Sequence, residues 1–306
     1  MALRLAFLGP VGTFAHAALR TLPVAEGAQL LPLANVTLVV DALRSGGADG
    51  ALVPIENSVE GGVPATLDEL SGGEPLVIAE ETYLPVLFDV LVRPGTTSIA
   101  TVATHPHAEA QTRRWLIDHL PSARVVLVGS TAGGAQAVAA GEFDAAIAPV
   151  VAGEIYGLES WAHDVADNSS AVTRFVLLTH PAPPPPPTGN DRTTLVAYLR
   201  EDHSGALLEI LSEFSTRAVN LTRIESRPTK SQIGQYCFSI DCEGHIADER
   251  VGDALAALHR VCADVRFLGS YPRRDGRQAD IPLGRTDAEF TDSRAWLASV
   301  RATGAS

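Results

Sequence analysis

The chain has 306 residues, of which 46% are hydrophobic and 19% are charged, and its formal net charge is −13. This length predicts about two domains with buried cores, and the acidic balance argues against a nucleic-acid partner, because such surfaces need clustered Lys and Arg. No apolar run approaches the ~20 residues that cross a bilayer, and the apolar stretch before Gly9 and Pro10 is too short for a signal peptide, so we expect a cytoplasmic protein with no membrane partner.

The first part of the chain alternates short apolar strands with Ala-rich helices. Helices are predicted to begin near Thr13, Thr66 and Pro106, and another is predicted with Ser130 and Thr131 as its caps. The predicted strands are "LRLAFLG", "GALVPIE", "DVLVRP", "IATVATH", "ARVVLVG", "DAAIAPV" and "TRFVLLT". This alternation predicts largely parallel sheets with helices on their faces, arranged as one sheet or as two lobes.

A proline-rich run, "PAPPPPPTGN" at residues 181–190, separates this part from the rest of the chain. Polyproline is extended and semi-rigid, so we predict that residues 181–191 form a linker between folded parts. A ligand for an SH3 domain is the alternative, but a domain-sized segment on each side favours the linker.

After the linker, strands and helices follow the order βαββαβ, which predicts a small ferredoxin-like sandwich. The first helix, in "SGALLEILSEFSTR", is predicted to have Ser204 as its N-cap. Its apolar stripe is predicted to comprise Leu207, Leu208, Leu211 and Phe214. The strand "QYCFSIDCEG" is predicted to be half-buried, with Tyr236, Phe238, Ile240 and Cys242 inward. From residue 273 onward we expect a loosely packed tail with a short helix over residues 295–300.

The cysteines and the "HPH" run at residues 105–107 do not indicate a metal site. Cys237, Cys242 and Cys262 lack CxxC spacing, so we expect core or surface thiols. No further ligands follow His105 and His107 at useful spacing, and we therefore expect no bound metal.

Polar groups recur where predicted strands end. "GPVGTFAHAA" offers backbone N–H groups at a helix N-terminus, which attract anions, but it lacks both the dinucleotide and the P-loop patterns. Glu56, Asn57 and Ser58 follow a second strand, either to face a ligand crevice or to cap the next helix. Thr104 ends a third strand, and Gln111 lies seven residues later, on the same helix face. Together these turns predict a site for a small polar anion.

"NSSAVTRFVLLT" places Thr173 and Arg174 at the entrance of a buried strand. By themselves Ser169, Ser170 and Thr173 are typical of turn-forming residues. No Ser-His-Asp or Cys-His arrangement is evident from local spacing.

These motifs, together with "AIAPVVAGEIYGL", resemble in order and approximate spacing those of prephenate dehydratases. "GALLEIL" and "NLTRIESRP" resemble the phenylalanine-binding signatures of the ACT domain found in the same family. The resemblance covers about residues 3–272, and Ala15 departs from it where many relatives carry Ser or Thr.

The resemblance implies an α/β fold: a bilobal, periplasmic-binding-protein-like catalytic domain at residues 1–180, followed by a ferredoxin-like βαββαβ ACT domain at residues 192–272, with a tail at 273–306. It implies conversion of prephenate to phenylpyruvate, water and carbon dioxide in phenylalanine biosynthesis. Aromatisation of the ring drives the reaction, so no cofactor, metal or covalent nucleophile is demanded.

The resemblance also implies roles for individual residues. Thr173 is the expected catalytic hydroxyl, which donates to the departing oxygen, and Glu56 is hypothesised to be the ultimate acid. Arg174 either clamps a carboxylate or forms a structural salt bridge. The expected substrate-binding residues are Thr13, Asn57, Ser58, Thr104, Gln111, Arg174 and Phe175.

In the ACT domain the resemblance implies a site for L-phenylalanine, feedback inhibition, and a homodimer or homotetramer formed through paired ACT domains. The expected phenylalanine-binding residues are Gly205, Ala206, Leu207, Leu208, Asn220, Leu221, Glu225, Ser226, Arg227 and Pro228. A capped helix beside an edge-strand salt bridge is the purely structural alternative. Arogenate dehydratase, or a non-catalytic amino-acid-binding regulator on the same scaffold, is the alternative function.

Overall fold

A computed structural model describes residues 2–229 and 235–304 of the chain. The chain divides into two compact units, Met1–Thr66 with Thr82–Leu177 and Leu67–Glu81 with Leu178–Ser306. Within the described residues, no helix combines the length and apolarity that a membrane crossing needs.

The first unit is built on two sheets, so the two-lobed alternative of the sequence prediction is the correct one. The strands up to residue 179 are β1 (Arg4–Leu8), β2 (Gln29–Leu33), β3 (Gly50–Asn57), β4 (Gly61–Gly62), β5 (Val77–Pro85), β6 (Asp89–Val92), β7 (Thr101–Thr104), β8 (Arg124–Leu127), β9 (Ala145–Ala148), β10 (Glu159–Ala162) and β11 (Val172–Thr179). The helices are α1 (Phe14–Arg20), α2 (Val36–Arg44), α3 (Pro64–Ser71), α4 (Pro106–His119), α5 (Thr131–Ala139) and α6 (Val150–Tyr156).

The order of the first sheet is β2-β1-β3-β11-β5, with β4 paired to β3, and that of the second is β10-β6-β9-β7-β8. β1 pairs in parallel with β2 and β3, as β7 does with β8 and β9. β6 runs antiparallel to β9 and β10. The second sheet is therefore mixed, and each sheet has its own apolar core.

The second unit contains the predicted ferredoxin-like sandwich. Its elements are β12 (Asp191–Tyr198), α7 (Ala206–Ser215), β13 (Leu221–Pro228), β14 (Tyr236–Glu243), α8 (Glu249–Val261), β15 (Asp264–Pro272) and α9 (Asp287–Thr303). The strand order β13-β14-β12-β15, with antiparallel neighbours, confirms the βαββαβ prediction. Apolar side chains of α7 and α8 pack on one face of this sheet.

The start and the buried face of α7 differ from the prediction. Gly205, not Ser204, is the N-cap, and its φ of 97° lies in the left-handed region that glycine adopts without strain. The buried stripe is Ala206, Ile210 and Phe214, whereas Leu208 is 65% exposed. Because a helix shows one face to the core, this stripe turns Leu207 and Leu208 outward.

The prediction of a half-buried β14 is wrong, because Cys237, Ser239 and Asp241 are buried as well as Phe238, Ile240 and Cys242. Tyr236, predicted to face inward, is instead 41% exposed. The segment Leu67–Glu81 supplies cover on the side of the sheet opposite the helices. Three contacts show this: Tyr198 donates to the Ser71 carbonyl, Arg266 donates to the Gly72 carbonyl at 2.8 Å, and Arg192 pairs with Glu81. Burial of the second face thus depends on residues more than a hundred positions away.

Two further expectations concern the thiols and the tail. All three cysteines are buried, in agreement with the interpretation as core thiols. The tail helix is longer than predicted, since α9 begins after a capping box in which Thr286 and Glu289 bond reciprocally. No residue of α9 is buried.

Candidate active site

A cavity of about 510 Å³ in the first unit lies where helices of both sheets begin. Four helix N-caps line it: Thr13 before α1, Asn35 before α2, His105 before α4 and Ser130 before α5. Each helix follows a strand that pairs in parallel with a neighbour, and the carboxyl ends of these strands in both sheets lie at the cavity, so the N-termini converge. The partial positive charge of each N-terminus favours an anion in the cavity.

The caps themselves are engaged within the protein. Thr13 Oγ1 donates to the Leu8 carbonyl at 2.8 Å and accepts from the His16 amide at 3.3 Å. Ser130 Oγ accepts from the Gly133 amide at 2.9 Å. Thr131, predicted as a second cap, is instead the first residue of α5, and it also lines the cavity.

The Thr173 hydroxyl and the Asn57 amide meet at the cavity wall. Asn57 Nδ2 donates to Thr173 Oγ1 at 2.9 Å. Asn57 Oδ1 accepts from the amides of Val59 at 2.8 Å and Glu60 at 3.2 Å. These two backbone donors fix which end of the amide faces Thr173. Thr173 Oγ1 is therefore an acceptor toward Asn57, and its own proton is directed elsewhere.

Arg174 and Glu56 lie near each other but do not line the cavity. The Arg174 side chain is 3% exposed, and its Nε lies 3.7 Å from Glu56 Oε2. The Glu56 side chain is 37% exposed. This geometry favours the structural salt bridge over a carboxylate clamp for Arg174.

Two other predicted residues also lie behind the cavity wall. Ser58 Oγ accepts from the Val172 amide and the Ser58 amide donates to the Val172 carbonyl, both at 2.9 Å. Thr104 is fully buried and donates to the Ile147 carbonyl at 2.9 Å. Of the predicted substrate-binding and catalytic residues, those that line the cavity are Thr13, Asn57, Gln111, Thr173 and Phe175.

Sequence reasoning missed three ionisable residues that line the cavity, namely Glu60, His105 and His107. His107 Nδ1 lies 3.0 Å from Glu60 Oε2, and the His105 and His107 rings are 5.1 Å apart. Burial lowers the pKa of His105, and the neighbouring His107 lowers it further, while Glu60 opposes both. The feature of the sequence that could have identified His105 is its position directly after a predicted strand, where the N-cap of a helix is expected.

The described lining of this cavity contains no Lys or Arg side chain. An anion bound there is held by helix N-termini and neutral donors. Phe14 and Phe88, packed edge to face at 5.2 Å, and Phe175 add an apolar wall. The combination suits a small ring that carries carboxylates.

A second cavity, of about 280 Å³, lies in the second unit at the start of α7. The predicted phenylalanine-binding residues that line it are Gly205, Ala206, Leu207, Leu208 and Ser226. The remaining ones, which do not line it, are Asn220, Leu221, Glu225, Arg227 and Pro228. Arg227 instead donates from Nε and Nη2 to Asp68 Oδ1 at 3.0 and 2.9 Å.

Comparison with known proteins gives a consistent result across the chain. Residues 5–183 match the family model described as prephenate dehydratase, and residues 193–260 match that of the ACT domain. A prephenate dehydratase of Amycolatopsis methanolica is 52% identical over 299 residues, which cover 97% of this chain and 98% of that protein.

Solved structures agree with this match. The structure of prephenate dehydratase from Arthrobacter aurescens in complex with L-Phe superposes with a TM-score of 0.92 and 48% identity, covering 97% of this chain and 99% of that one. The quorum-quenching acylase GqqA superposes with a TM-score of 0.80 and 31% identity, covering 90% of this chain and 100% of that one.

Proposed function

The chain belongs to the prephenate dehydratase family, and we propose that it carries out this reaction in the cavity between the two sheets of its first unit. Prephenate is a dianion, and the products are the phenylpyruvate anion, carbon dioxide and water. One proton is therefore consumed, and it must reach the hydroxyl group that leaves. The protein has to orient the dianion and assist this departure.

The bond between Asn57 and Thr173 carries the proposal. Because Asn57 Nδ2 donates to Thr173 Oγ1 at 2.9 Å, the Thr173 hydroxyl has its proton available for the substrate. A hydrogen bond to the departing oxygen strengthens as negative charge develops on it, which lowers the barrier. Thr173 is only 8% exposed, so this bond forms away from bulk water.

The substrate carboxylates are assigned to the helix N-termini, and the ring to the phenylalanine wall. N-terminal amides and dipoles stabilise anions without a nearby cationic side chain. Glu56 and Arg174 support the site from behind: their contact links the end of β3, which carries Asn57, to β11, which carries Thr173. Glu56 does not line the cavity, so this assignment does not require Glu56 to supply the proton that the leaving hydroxyl group takes up.

The direct test uses purified protein and measures phenylpyruvate formed from prephenate by its ultraviolet absorbance, and phenylalanine formed from arogenate by chromatography. We expect kcat/KM for prephenate to exceed that for arogenate by about tenfold or more, because the described cavity lining has a single carboxylate, that of Glu60, for the amino group of arogenate. Product from arogenate alone would identify an arogenate dehydratase instead. Product from neither substrate would leave the non-catalytic regulator as the better explanation.

Replacing Asn57 by Asp tests the orientation of Thr173. In Asn57→Asp the side chain only accepts hydrogen bonds, so the Thr173 proton turns toward it and away from the substrate. We expect kcat to fall by about a hundredfold while KM changes little. Asn168→Asp is the matched control, because Asn168 Oδ1 accepts from the Ser170 amide in a turn outside the cavity lining. Equal activity of the two variants would contradict this role of Asn57.

We further propose that phenylalanine binds the cavity at the start of α7 and inhibits the enzyme. The related Arthrobacter aurescens structure contains L-Phe. The left-handed Gly205 N-cap leaves α7 without a side-chain cap. The Ala206 amide donates to the His203 carbonyl, so the amides of Leu207 and Leu208 are those assigned to an α-carboxylate. Ligand binding then favours the less active state of the enzyme.

Filling this cavity is expected to remove inhibition and preserve catalysis. Ser226→Leu places a larger side chain in the space that Ser226 lines, while the first unit is unchanged. We expect the concentration of phenylalanine for half-inhibition to rise at least about tenfold. Thr222→Leu, exposed on the same strand, serves as the control. Calorimetry that finds wild-type affinity in Ser226→Leu would count against the site.

Exposed apolar side chains on α7, β13 and β14 support the proposed homodimer or homotetramer. Leu208, Ile224 and Tyr236 are 65%, 40% and 41% exposed, and such apolar groups are commonly covered by another subunit. Light scattering should give the mass of two or four chains. A monomer at working concentration would contradict the assembly.

A further inference from the structure

We propose that His105 is a further substrate-contacting residue, a neutral imidazole whose Nε2–H donates a hydrogen bond to an oxygen of the bound substrate. This inference rests on the proposed function and adds a donor to those that the sequence motifs supply. It concerns the same cavity that Thr173 and Asn57 line.

The position of His105 determines its tautomer. His105 is the N-cap of α4, and its Nδ1 accepts from the His107 amide at 3.3 Å. An acceptor nitrogen carries no proton, so a neutral ring must carry its proton on Nε2. The side chain lines the cavity, so Nε2–H is the polar group that remains for a ligand.

The surroundings keep the ring neutral. Burial is the main cause that lowers the pKa of His105 from its ordinary value of 6.5, and His107 adds to the effect. The start of α4 acts in the same direction, since a helix N-terminus disfavours a positive charge. Within the described lining of the cavity, the ionisable groups that face His105 are His107 and Glu60. A neutral donor can bind an oxygen without releasing a proton to it.

His107 does not share these features. Its side chain is 64% exposed, and its Nδ1 lies 3.0 Å from Glu60 Oε2, so its own polar contact is already made. Because His107 also lines the cavity, a histidine outside the lining provides the comparison. Loss of His105 should affect catalysis, whereas loss of the exposed His119 at the other end of α4 should not.

The pH dependence follows from the neutral state. Since the pKa of His105 is lowered, activity that needs the neutral ring is complete at pH 7 and above. It declines only as the pH falls below 6.5 through the lowered pKa. Protonation would turn Nδ1 into a donor that opposes the His107 amide and would disrupt the start of α4.

Three variants test the inference with prephenate as substrate. His105→Ser keeps an N-cap but removes the donor that reaches the cavity, so we expect kcat/KM to fall about tenfold to a hundredfold. His105→Gln restores an amide donor at similar reach, so it should recover much of the activity. Because glutamine cannot titrate, this variant should also lose the part of the low-pH decline in activity that comes from His105. His119→Ser, at the exposed end of α4 and outside the described lining of the cavity, should stay within about twofold of the wild type.

The outcomes separate this inference from the proposed function. A wild type inactive on prephenate would overturn both. An active wild type with an equally active His105→Ser would overturn only the role of His105. A His105→Gln variant that kept the wild-type decline at low pH would also overturn that role alone, because the titrating group would then be another one.

Discussion

Thr173→Val is expected to lower kcat on prephenate by about a hundredfold to a thousandfold. Valine has nearly the shape of threonine but lacks the hydroxyl, so the variant loses the donor to the departing oxygen. The loss acts in the transition state, so KM should change little. Asn57 Nδ2 also loses its acceptor, which should cost about 1 kcal/mol of stability. Steady-state kinetics and thermal unfolding measure the two effects separately.

Two controls accompany this experiment. Thr173→Ser retains the hydroxyl and should recover most of the activity. Thr104→Val removes another buried threonine hydroxyl, one that donates to the Ile147 carbonyl behind the cavity, and we expect kcat within about threefold of the wild type. If Thr173→Val and Thr104→Val had the same kcat, the assignment of Thr173 would be wrong.

Glu81→Ala is expected to lower the free energy of unfolding by about 3–5 kcal/mol, because it leaves the buried Arg192 charge without this carboxylate. The Glu81 side chain is fully buried and that of Arg192 is 5% exposed. Arg274 also bonds to Glu81, through its backbone amide at 3.1 Å. The variant therefore removes the centre of a buried polar cluster in the second unit.

The adjacent residue provides the matched control. Glu80 pairs with Arg274, but these side chains are 28% and 46% exposed, and exposed pairs contribute only about 0–1 kcal/mol. Urea unfolding of the two variants under identical conditions makes the comparison. Similar midpoints for Glu80→Ala and Glu81→Ala would refute the importance of the buried pair.

Local patterns predicted much of the fold. The strands that begin at Arg4, Gly50 and Asp191 and the helix that begins at Pro106 follow from apolar runs, caps and proline position. Other elements were not identified, among them β2, α2, β5, α6 and β10. The "QLLPL" run of β2 contains a proline, which weakens a strand pattern. The exposed residues of β10 leave little apolar signal.

What could not be predicted depends on distant parts of the chain. The sequence pattern predicts Asp241 as an outward residue of a half-buried strand, yet it is fully buried and pairs with Arg223. Only tertiary structure shows which segment covers that face. In the candidate active site, the sequence predicts the turns that contribute Thr13, Asn57 and Thr173 to the cavity lining. The sequence does not predict that His105 lines this cavity, because the paired histidines indicate at most an incomplete metal site.

The segment Leu67–Glu81 has a consequence for how such enzymes exchange regulatory domains. By sequence, the ACT domain begins after the polyproline run, so a recombination event there would be expected to transfer it intact. In space, Arg192, Tyr198 and Arg266 of that domain bond to this segment, which is encoded upstream of the junction. A domain transplanted alone would lose these partners and the cover that they hold against this face of the sheet. Successful chimaeras should therefore carry their own copy of residues 67–81, or a host segment that offers a carboxylate and backbone carbonyls at the same places.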